Sequence, residues 1–292
     1  MLKKIVFLLL ITAAGNCIAQ DKELIDINYS TAKLKYNDTT SQSGMLNAKF
    51  RVPLYYNDGN IFMASVDYRH VTLSSFPEYY SGPLQGASLL LLYNRKISDK
   101  NSIALIARFG LFSDFKKAHS RDFQYGFGIN YDIKYSEEFK TGFGFFYARQ
   151  FFGNQIVPFM NIDWKIGEKW RLTGRLPIKE KLLYQFSAKI SAGIELALEN
   201  SSYRLTENEA ENNFIKITDC AALAKFEYKF SKSWQLNLAG GVGLIQRYEI
   251  YDESSDGSWS IFTIALNKKE KPLQEIKSRG FTGQIGISYN LF

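Results

Sequence analysis

Apolar and polar residues alternate along most of the chain beyond its N-terminal segment. In residues 123–135 every odd position is apolar and every even position is polar or glycine. Successive side chains of a β-strand point to opposite faces, so this period of two predicts an amphipathic strand with one oily face and one polar face.

The same pattern recurs in further segments of about 9 to 13 residues, the length that a tilted strand needs to cross a bilayer. In residues 46–56 the apolar positions are the even ones, which places Tyr56 on the oily face together with Phe50. The further segments are residues 46–56, 62–70, 103–111, 139–150, 156–166, 222–230, 234–244 and 281–291.

The breaks between these segments alternate in length. Short polar breaks, which suit hairpins, lie at residues 57–60, 98–101, 136–138, 167–169 and 231–233. Longer breaks lie at residues 37–44, 74–84, 113–122, 206–213 and 252–277. Short turns at one end and long loops at the other are typical of bacterial outer-membrane barrels.

The strand count depends on residues 170–205. We read a strand at 170–176, a bend at Pro177, a short strand at 182–186, a tight turn at 187–189 and a strand at 190–205. This predicts an all-β, antiparallel up-and-down barrel of 14 strands, and merging the two short pieces gives 12. The apolar run 259–266 is predicted to be a loop hairpin or additional wall.

Amphipathic strands fit either a soluble barrel with an oily interior or a membrane barrel with its oily face in lipid. The chain has 18 tyrosines, 23 phenylalanines and only 6 prolines, which favours strands. Tyrosines and tryptophans near the segment ends form candidate interfacial girdles: Tyr56, Tyr68, Tyr93, Tyr131, Trp164, Trp170, Trp234 and Tyr289. The sequence therefore predicts a transmembrane barrel whose partners are outer-membrane lipids.

The N-terminus predicts export. Lys3 and Lys4 precede an apolar run that is too short to span a bilayer, and Cys17 and Ala19 are small residues placed for signal cleavage. Residues 1–19 are predicted to be a cleaved signal peptide and residues 20–292 a single barrel domain. Lipidation of Cys17 is the alternative, which Asn16 disfavours.

The polar face carries charge, which a wet lumen tolerates and a dry core does not. The predicted lumen-lining residues are Lys49, Arg51, Asp67, Arg69, Arg108, Asp132, Lys165, Lys225 and Glu227. The formal net charge is +7, but the basic residues are spread along the chain, which argues against a nucleic-acid partner.

Several short motifs stand out in the middle of the chain: Pro-Phe-Met-Asn-Ile-Asp-Trp at 158–164, Trp-Arg-Leu at 170–172, Leu-Pro at 176–177, then Tyr184 and Tyr-Arg-Leu at 203–205. With these motifs the chain resembles a family of uncharacterised bacterial outer-membrane β-barrel proteins, known as a domain of unknown function. The resemblance implies the fold and the compartment, and it implies no activity or catalytic residues. The strand ending at Phe292 resembles the C-terminal signal read by the outer-membrane insertion machinery, although Phe292 is out of phase with the apolar series before it.

Groups that could carry chemistry are few. His70 lies on the oily phase of its segment near Ser74 and Ser75, and His119 lies in a long break with basic neighbours. Two distant histidines form no metal motif, and Cys220, the one cysteine beyond the signal peptide, forms no internal disulfide. The acidic stretch 207–211 lacks the spacing of a calcium loop. We therefore expect no enzyme activity, cofactor or metal.

Three functional hypotheses remain at this point. The first is a passive channel or small-solute transporter, in which Lys49, Arg51, Arg69 and Lys225 give a weak anion preference. The second is a closed structural or binding barrel with loops that face a partner, plugged by residues 252–277. The third and weakest is a lipid-modifying enzyme that uses His70. The solute, the partner and the oligomeric state stay open.

Overall fold

The structure is a computed structural model that describes residues 23–36, 39–76, 82–117, 119–206, 213–252, 258–267 and 271–290. The predicted signal peptide, the acidic stretch 207–211 and Phe292 lie outside these residues. No helix among the described residues is long and apolar enough to cross a membrane.

Seventeen strands make up almost all of the described chain, and one short 3-10 turn covers Ser120–Asp122. The strands are β1 (Glu23–Tyr36), β2 (Thr39–Asn57), β3 (Asn60–Ser74), β4 (Leu84–Lys96), β5 (Asn101–Ser113), β6 (Phe123–Lys134), β7 (Phe139–Gln150), β8 (Gly153–Ile166), β9 (Trp170–Leu176), β10 (Lys179–Gln185), β11 (Ile190–Arg204), β12 (Asn213–Lys229), β13 (Trp234–Asp252), β14 (Trp259–Ile261), β15 (Ile264–Ala265), β16 (Gln274–Ser278) and β17 (Phe281–Asn290).

Fourteen of these strands close into one antiparallel wall. Each strand from β1 to β13 pairs with the next, β13 pairs with β17, and β17 pairs with β1 through partners such as Ile27 and Ile287. Closure joins the last strand of the wall to the first, which is what a strand structure in a bilayer requires. The predicted count of 14 strands is confirmed, including the hairpin of β9 and β10 around Pro177.

The wall has two different ends. At the turn end, short turns such as Asp58-Gly59 join successive strands, and both of these residues have the positive φ that a tight hairpin turn uses. At the loop end, longer segments join the strands, for example between β5 and β6 and between β13 and β17. The described part of residues 252–277 extends the wall there: β14 pairs with β8, and β16 pairs with β13.

Apolar side chains cover the outside of the wall. Val66, Leu105 and Phe143 are each more than half exposed, whereas their polar neighbours face the interior. Aromatic rings gather near the turn end, where Trp170 contacts Tyr184. An outward apolar surface with an aromatic girdle is that of a transmembrane barrel.

Two local predictions are wrong. The long break expected at residues 37–44 is mostly strand, because β2 already begins at Thr39 and pairs with β1. Tyr56, expected on the oily face, lies on the other face because a bulge between Pro53 and Tyr55 shifts the register and exposes Tyr55. Proline cannot donate to a sheet ladder, which explains why the bulge falls here.

The hydrophobic core lies inside the barrel, near the loop end. We call this group of ten buried residues the loop-end core; it consists of Leu34, Val71, Leu84, Phe112, Tyr203, Ile215, Ile217, Tyr248, Ile250 and Ile276. The sequence assigned the blocking of the lumen to residues 252–277. In the structure the side chains that fill this end come mainly from the wall strands, and Ile276 is the one core residue from that segment.

A backbone crossing explains how side chains can fill this end. The tip of β11 stays paired with β12 and also pairs in parallel with β5, at Arg204 and Ser113, and Asp114 N donates to Arg204 O over 3.1 Å. Around the core the wall consequently consists of β1 to β5, β11 to β13 and β16. A ring of that size is close to the eight strands whose interior side chains fill completely.

Candidate lumen site

A cavity of about 590 Å³ occupies the lumen directly below the loop-end core. Ser43, Met45 and Phe112 border it on the side of the core. Lys49 and Glu195 border it towards the turn end. Beyond them buried polar side chains line the interior: Ser65, Asn130, Thr141, Asn161, Gln235, Asn237 and Ser288.

The charges around the cavity balance. Five cationic side chains line it, namely Lys49, Arg69, Arg108, Arg175 and Lys179. Five acidic side chains line it as well, namely Asp26, Asp67, Glu195, Glu199 and Asp219. The basic excess that the sequence hypothesis relied on is thus not a property of this cavity, so any preference between small cations and anions depends on which of these side chains are already paired.

Most of the cations are held by carboxylates. Arg69 forms an ion pair with Glu199 and donates from Nε to Asn47 Oδ1 over 2.9 Å. Lys49 lies 3.8 Å from Asp67. These contacts connect β2, β3 and β11, so they also fix the width of the lumen at this height.

A second cluster centres on the carboxylate of Glu195, which is almost fully buried. Lys225 Nζ lies 3.2 Å from one of its oxygens and Lys179 Nζ lies 3.3 Å from the other. Next to this cluster Lys181 donates to Glu227 over 2.7 Å. Buried charges of this kind are tolerated because each has an opposite partner.

Two cavity-lining guanidiniums, those of Arg108 and Arg175, make no ion pair with any described carboxylate. Arg108 donates to Ser88 Oγ over 3.2 Å, and its guanidinium lies 5.2 Å from the ring centroid of Phe112. Arg175 donates to Asn161 Oδ1 over 2.8 Å and stacks on Phe159 at 4.7 Å. Both charges are oriented by a neutral partner and a ring, so their positive charge stays available to a ligand.

The structure brings only part of the predicted lumen set together. Asp67, Arg69 and Arg108 line the cavity together with Lys49, whereas Lys225 and Glu227 belong to the neighbouring buried cluster. The remaining three lie nearer the turn end: Arg51 donates to Glu23 O, Asp132 accepts from Asn130 over 2.6 Å, and Lys165 is exposed.

Sequence reasoning missed Arg175, Glu195, Glu199 and Asp219. The signal for Arg175 was present, because Trp170, Leu172 and Leu176 mark the even positions of β9 as the oily face. Glu195 and Glu199 likewise alternate with apolar residues along β11. The ion pairs of these two glutamates join residues on different strands, and alternation along one strand contains no information about such partners.

Glycines on the lumen face make room for two rings. A Cβ on Gly144 would lie 2.5 Å from Phe159 Cζ, and one on Gly126 would lie 2.5 Å from Phe146 Cε1. Both distances are shorter than packed carbon atoms allow, so these positions need glycine for close approach. Phe159 in turn carries the guanidinium of Arg175.

The histidines do not form a catalytic pair in the described structure. His70 shares the outer face of β3 with Val66 and Tyr68, and no hydrogen bond joins it to Ser74 or Ser75. His119 contacts Asp122 through its backbone N–H, over 2.9 Å. Within the described ranges no group of three or more His, Cys, Asp or Glu side chains is arranged to hold a metal ion.

The family described as "Domain of unknown function (DUF6268)" matches residues 25–289. No curated protein matches the chain. Among solved structures it is similar to the NanC porin, with a TM-score of 0.40, 9% identity and coverage of 91% of this chain and 100% of that chain. It is also similar to the KdgM porin in complex with disordered oligogalacturonate, with a TM-score of 0.38, 10% identity and coverage of 91% and 99%. The Pseudomonas putida toluene transporter TodX gives a TM-score of 0.40 and 10% identity, with coverage of 96% and 93%. At these identities the likeness concerns the general barrel fold alone.

Proposed function

We propose that this protein, which belongs to the DUF6268 family, is an outer-membrane transporter that binds a small anionic solute inside its barrel. The supporting observation is the pair of cavity-lining guanidiniums, Arg108 and Arg175, which make no ion pair with a described carboxylate and are each held by a neutral partner and a ring. Guanidinium groups bind carboxylates and phosphates through paired hydrogen bonds, and in a lumen shielded from bulk water such contacts are strong.

The proposal includes the compartment and the processing of the chain. Residues 1–19 are removed as a signal peptide, and residues 20–292 insert into the bacterial outer membrane with the aid of its insertion machinery. The short turns face the periplasm and the longer segments face the outside, as is usual for such barrels. The protein is not an enzyme, and it carries no cofactor.

The loop-end core favours binding over free flow. Phe112, Tyr203 and Tyr248 close the interior between the cavity and the outside, and all three are buried. Water and ions do not cross a dry apolar constriction of this kind, which gates by excluding water. We therefore propose a barrel that is closed at rest and holds its solute, rather than a permanently open pore.

The same core supports a second candidate, a closed barrel whose role is structural or whose loops bind a partner. A filled loop end is compatible with that function even if the cavity never takes up a ligand. The two candidates differ in whether the cavity binds an anion, and this can be measured.

The test is equilibrium binding of radiolabelled butyrate to the protein in phosphatidylcholine nanodiscs. We expect Arg108→Gln to weaken binding about tenfold, which is the value of one charge-assisted contact. Arg171→Gln is the matched control, because Arg171 already pairs with Asp163 through two contacts of 3.0 Å and does not line the cavity. Equal binding by all three proteins, or no binding at all, would overturn the proposal, and absence of binding would favour the closed structural barrel.

A further inference from the structure

The hairpin of β9 and β10 is too short to reach across the bilayer. Each of its strands has 7 residues, whereas the flanking strands β8 and β11 have 14 and 15. At the usual rise and tilt, seven residues reach about 15 Å along the membrane normal, against an apolar band of about 25 Å. Among the described residues, the wall therefore has a gap above the hairpin tip at Pro177 and Ile178.

The borders of this gap follow from the pairing registers. The last pair on the β8 side joins Met160 to Leu176, and the last pair on the β11 side joins Ala197 to Lys179. Nearer the loop end β14 pairs with residues 154–156 of β8, while the tip of β11 turns inward to β5. Leu198 N still donates to Ile178 O over 2.7 Å, so the gap lies between residues 157–159 of β8 and residues 199–201 of β11.

Pro158 indicates that this stretch of β8 is an edge. Asn154 donates its N–H to Ser258 O and Ile156 accepts from Phe262 N, both over 2.8 Å, so the backbone groups of even residues point towards the gap. Pro158 is the next even residue, and it has no N–H to leave unpaired. Proline within a strand is confined to such edge positions.

The internal cavity extends to the gap. Five apolar residues line the cavity and border the gap at the same time: Val157, Phe159, Ile178, Leu198 and Phe262. An oily passage between the lumen and the bilayer is therefore already outlined by the wall. Arg175 stands next to it, stacked on Phe159.

Glu180 is a polar group on the lipid side of the same hairpin. It lies on the outer face of β10, paired with Gly174 and Leu196, and among the described residues its Oε1 is buried without a hydrogen-bond partner. An ionisable side chain on a lipid-facing surface is costly and marks a functional position by default.

We infer that the cavity exchanges an amphipathic anion with the bilayer sideways, through the gap above the β9–β10 hairpin. The anionic head contacts Arg175 and Arg108, and a single hydrocarbon chain lies along Phe159, Leu198 and Val157. A volume of about 590 Å³ falls within the range that holds one small ligand. This inference rests on the proposed anion-binding function and specifies its ligand class and route.

The experiment compares a long-chain and a short-chain carboxylate in phosphatidylcholine nanodiscs. The long-chain probe is a fluorescent dansyl-undecanoate, displaced by dodecanoate, and the short-chain probe is butyrate. We expect the wild-type protein to bind dodecanoate at least tenfold more tightly than butyrate, because only dodecanoate has a chain that buries apolar surface. Arg175→Gln should weaken dodecanoate binding about tenfold, and Arg171→Gln should leave it unchanged.

The route is tested by closing the gap. Inserting two residues into β9 and two into β10 beside the tip lengthens the hairpin and preserves which side chains face lipid. The same four residues inserted at Glu168, in the turn, form the control. Ile178→Trp narrows the same gap without changing strand length, in case the longer hairpin fails to fold. Both gap variants should slow dodecanoate uptake from the bilayer at least tenfold and leave butyrate binding intact.

The outcomes separate this inference from the proposed function. If butyrate and dodecanoate bind equally and both gap variants take up dodecanoate at the wild-type rate, the lateral route is wrong while anion binding stands. If neither carboxylate binds and Arg175→Gln has no effect, the proposed function itself fails.

Discussion

Strands β11, β12 and β13 change character along their length. Near the turn end and in the middle their inward side chains are polar, as with Glu195 and Lys225. Near the loop end the same strands present Tyr203, Ile217 and Tyr248 to the interior, and all three are buried in the loop-end core.

The contrast shows that one barrel interior can contain both a polar cavity and a packed apolar core that closes it. The full wall of 14 strands is too wide for side chains to fill, so its interior needs polar groups and retains a cavity. Where β11 crosses to β5 the ring is smaller, and apolar side chains can pack against each other. The change in chemistry therefore follows the change in strand number.

The largest loss of unfolding free energy is expected from removing an aromatic ring of the loop-end core. Tyr203 is fully buried and its ring packs 6.0 Å from that of Phe112. Tyr203→Ala should lower the free energy of unfolding by about 4 kcal/mol, as a buried aromatic-to-alanine change does, measured by urea titration in lipid vesicles. Phe186→Ala, at a ring that is 63% exposed, is the control and should cost far less. Equal losses for the two variants would show that the loop end is not a packed core.

The next largest loss of stability is expected from the buried charges around Glu195, in the polar part of the interior. Glu195→Gln leaves the buried ammonium of Lys225 without its carboxylate, which should cost about 3 kcal/mol of unfolding free energy. The double variant Glu195→Gln/Lys225→Met removes both buried charges and leaves only the half-exposed ammonium of Lys179, so it should recover most of that loss in the same titration. If the double variant is as unstable as the single one, the cluster is not held by this ion pair.

A smaller effect is expected where a glycine makes room for a lumen ring. Gly144→Ala adds a Cβ 2.4 Å from Ile129 O and 2.5 Å from Phe159 Cζ, so both the neighbouring strand and Phe159 must shift, at a cost of about 1 to 3 kcal/mol. Because Phe159 carries Arg175, the variant should also weaken butyrate binding. Unchanged stability together with unchanged binding would show that the ring has free space.

The smallest effects are expected from exposed ion pairs. Lys49→Gln removes a 3.8 Å contact with Asp67 that is partly open to water, so it should change the free energy of unfolding by less than about 1 kcal/mol. Asp99 pairs with Lys96 at the turn end, and this contact lowers the pKa of the Asp99 carboxyl. A lowered pKa favours the folded state above the usual aspartate pKa and loses that effect in acid, but Asp99 is fully exposed, so Asp99→Asn should cause no measurable change in a urea titration at pH 7. A loss as large as that of Glu195→Gln in either variant would contradict this ranking.

The strands of the wall could be predicted from sequence because each faces lipid on one side and the lumen on the other, so apolar and polar residues alternate almost strictly along it. Residues 123–135 show one oily face and one polar face, and the bend at Pro177 separates two strands that the structure pairs as β9 and β10. The prediction of which side chains face lipid fails where a bulge shifts the pairing register, as it does beside Pro53.

The interior could be predicted only in part. Alternation assigns an inward face to Arg69 and Lys225, but it does not say that Glu199 and Glu195 lie opposite them on β11. Nor does it show that β11 crosses the barrel, because that contact joins Arg204 to Ser113, about 90 residues away. These features depend on how the wall closes, which no single strand encodes.

Single-channel conductance in a planar bilayer tests the central claim most directly. With the loop-end core intact, the wild-type protein should show no long-lived open steps, whereas Tyr203→Ala, refolded and checked for a closed barrel, should show frequent ones. A wild-type protein that conducts steadily, with openings unchanged by Tyr203→Ala, would contradict the claim that this core seals the barrel.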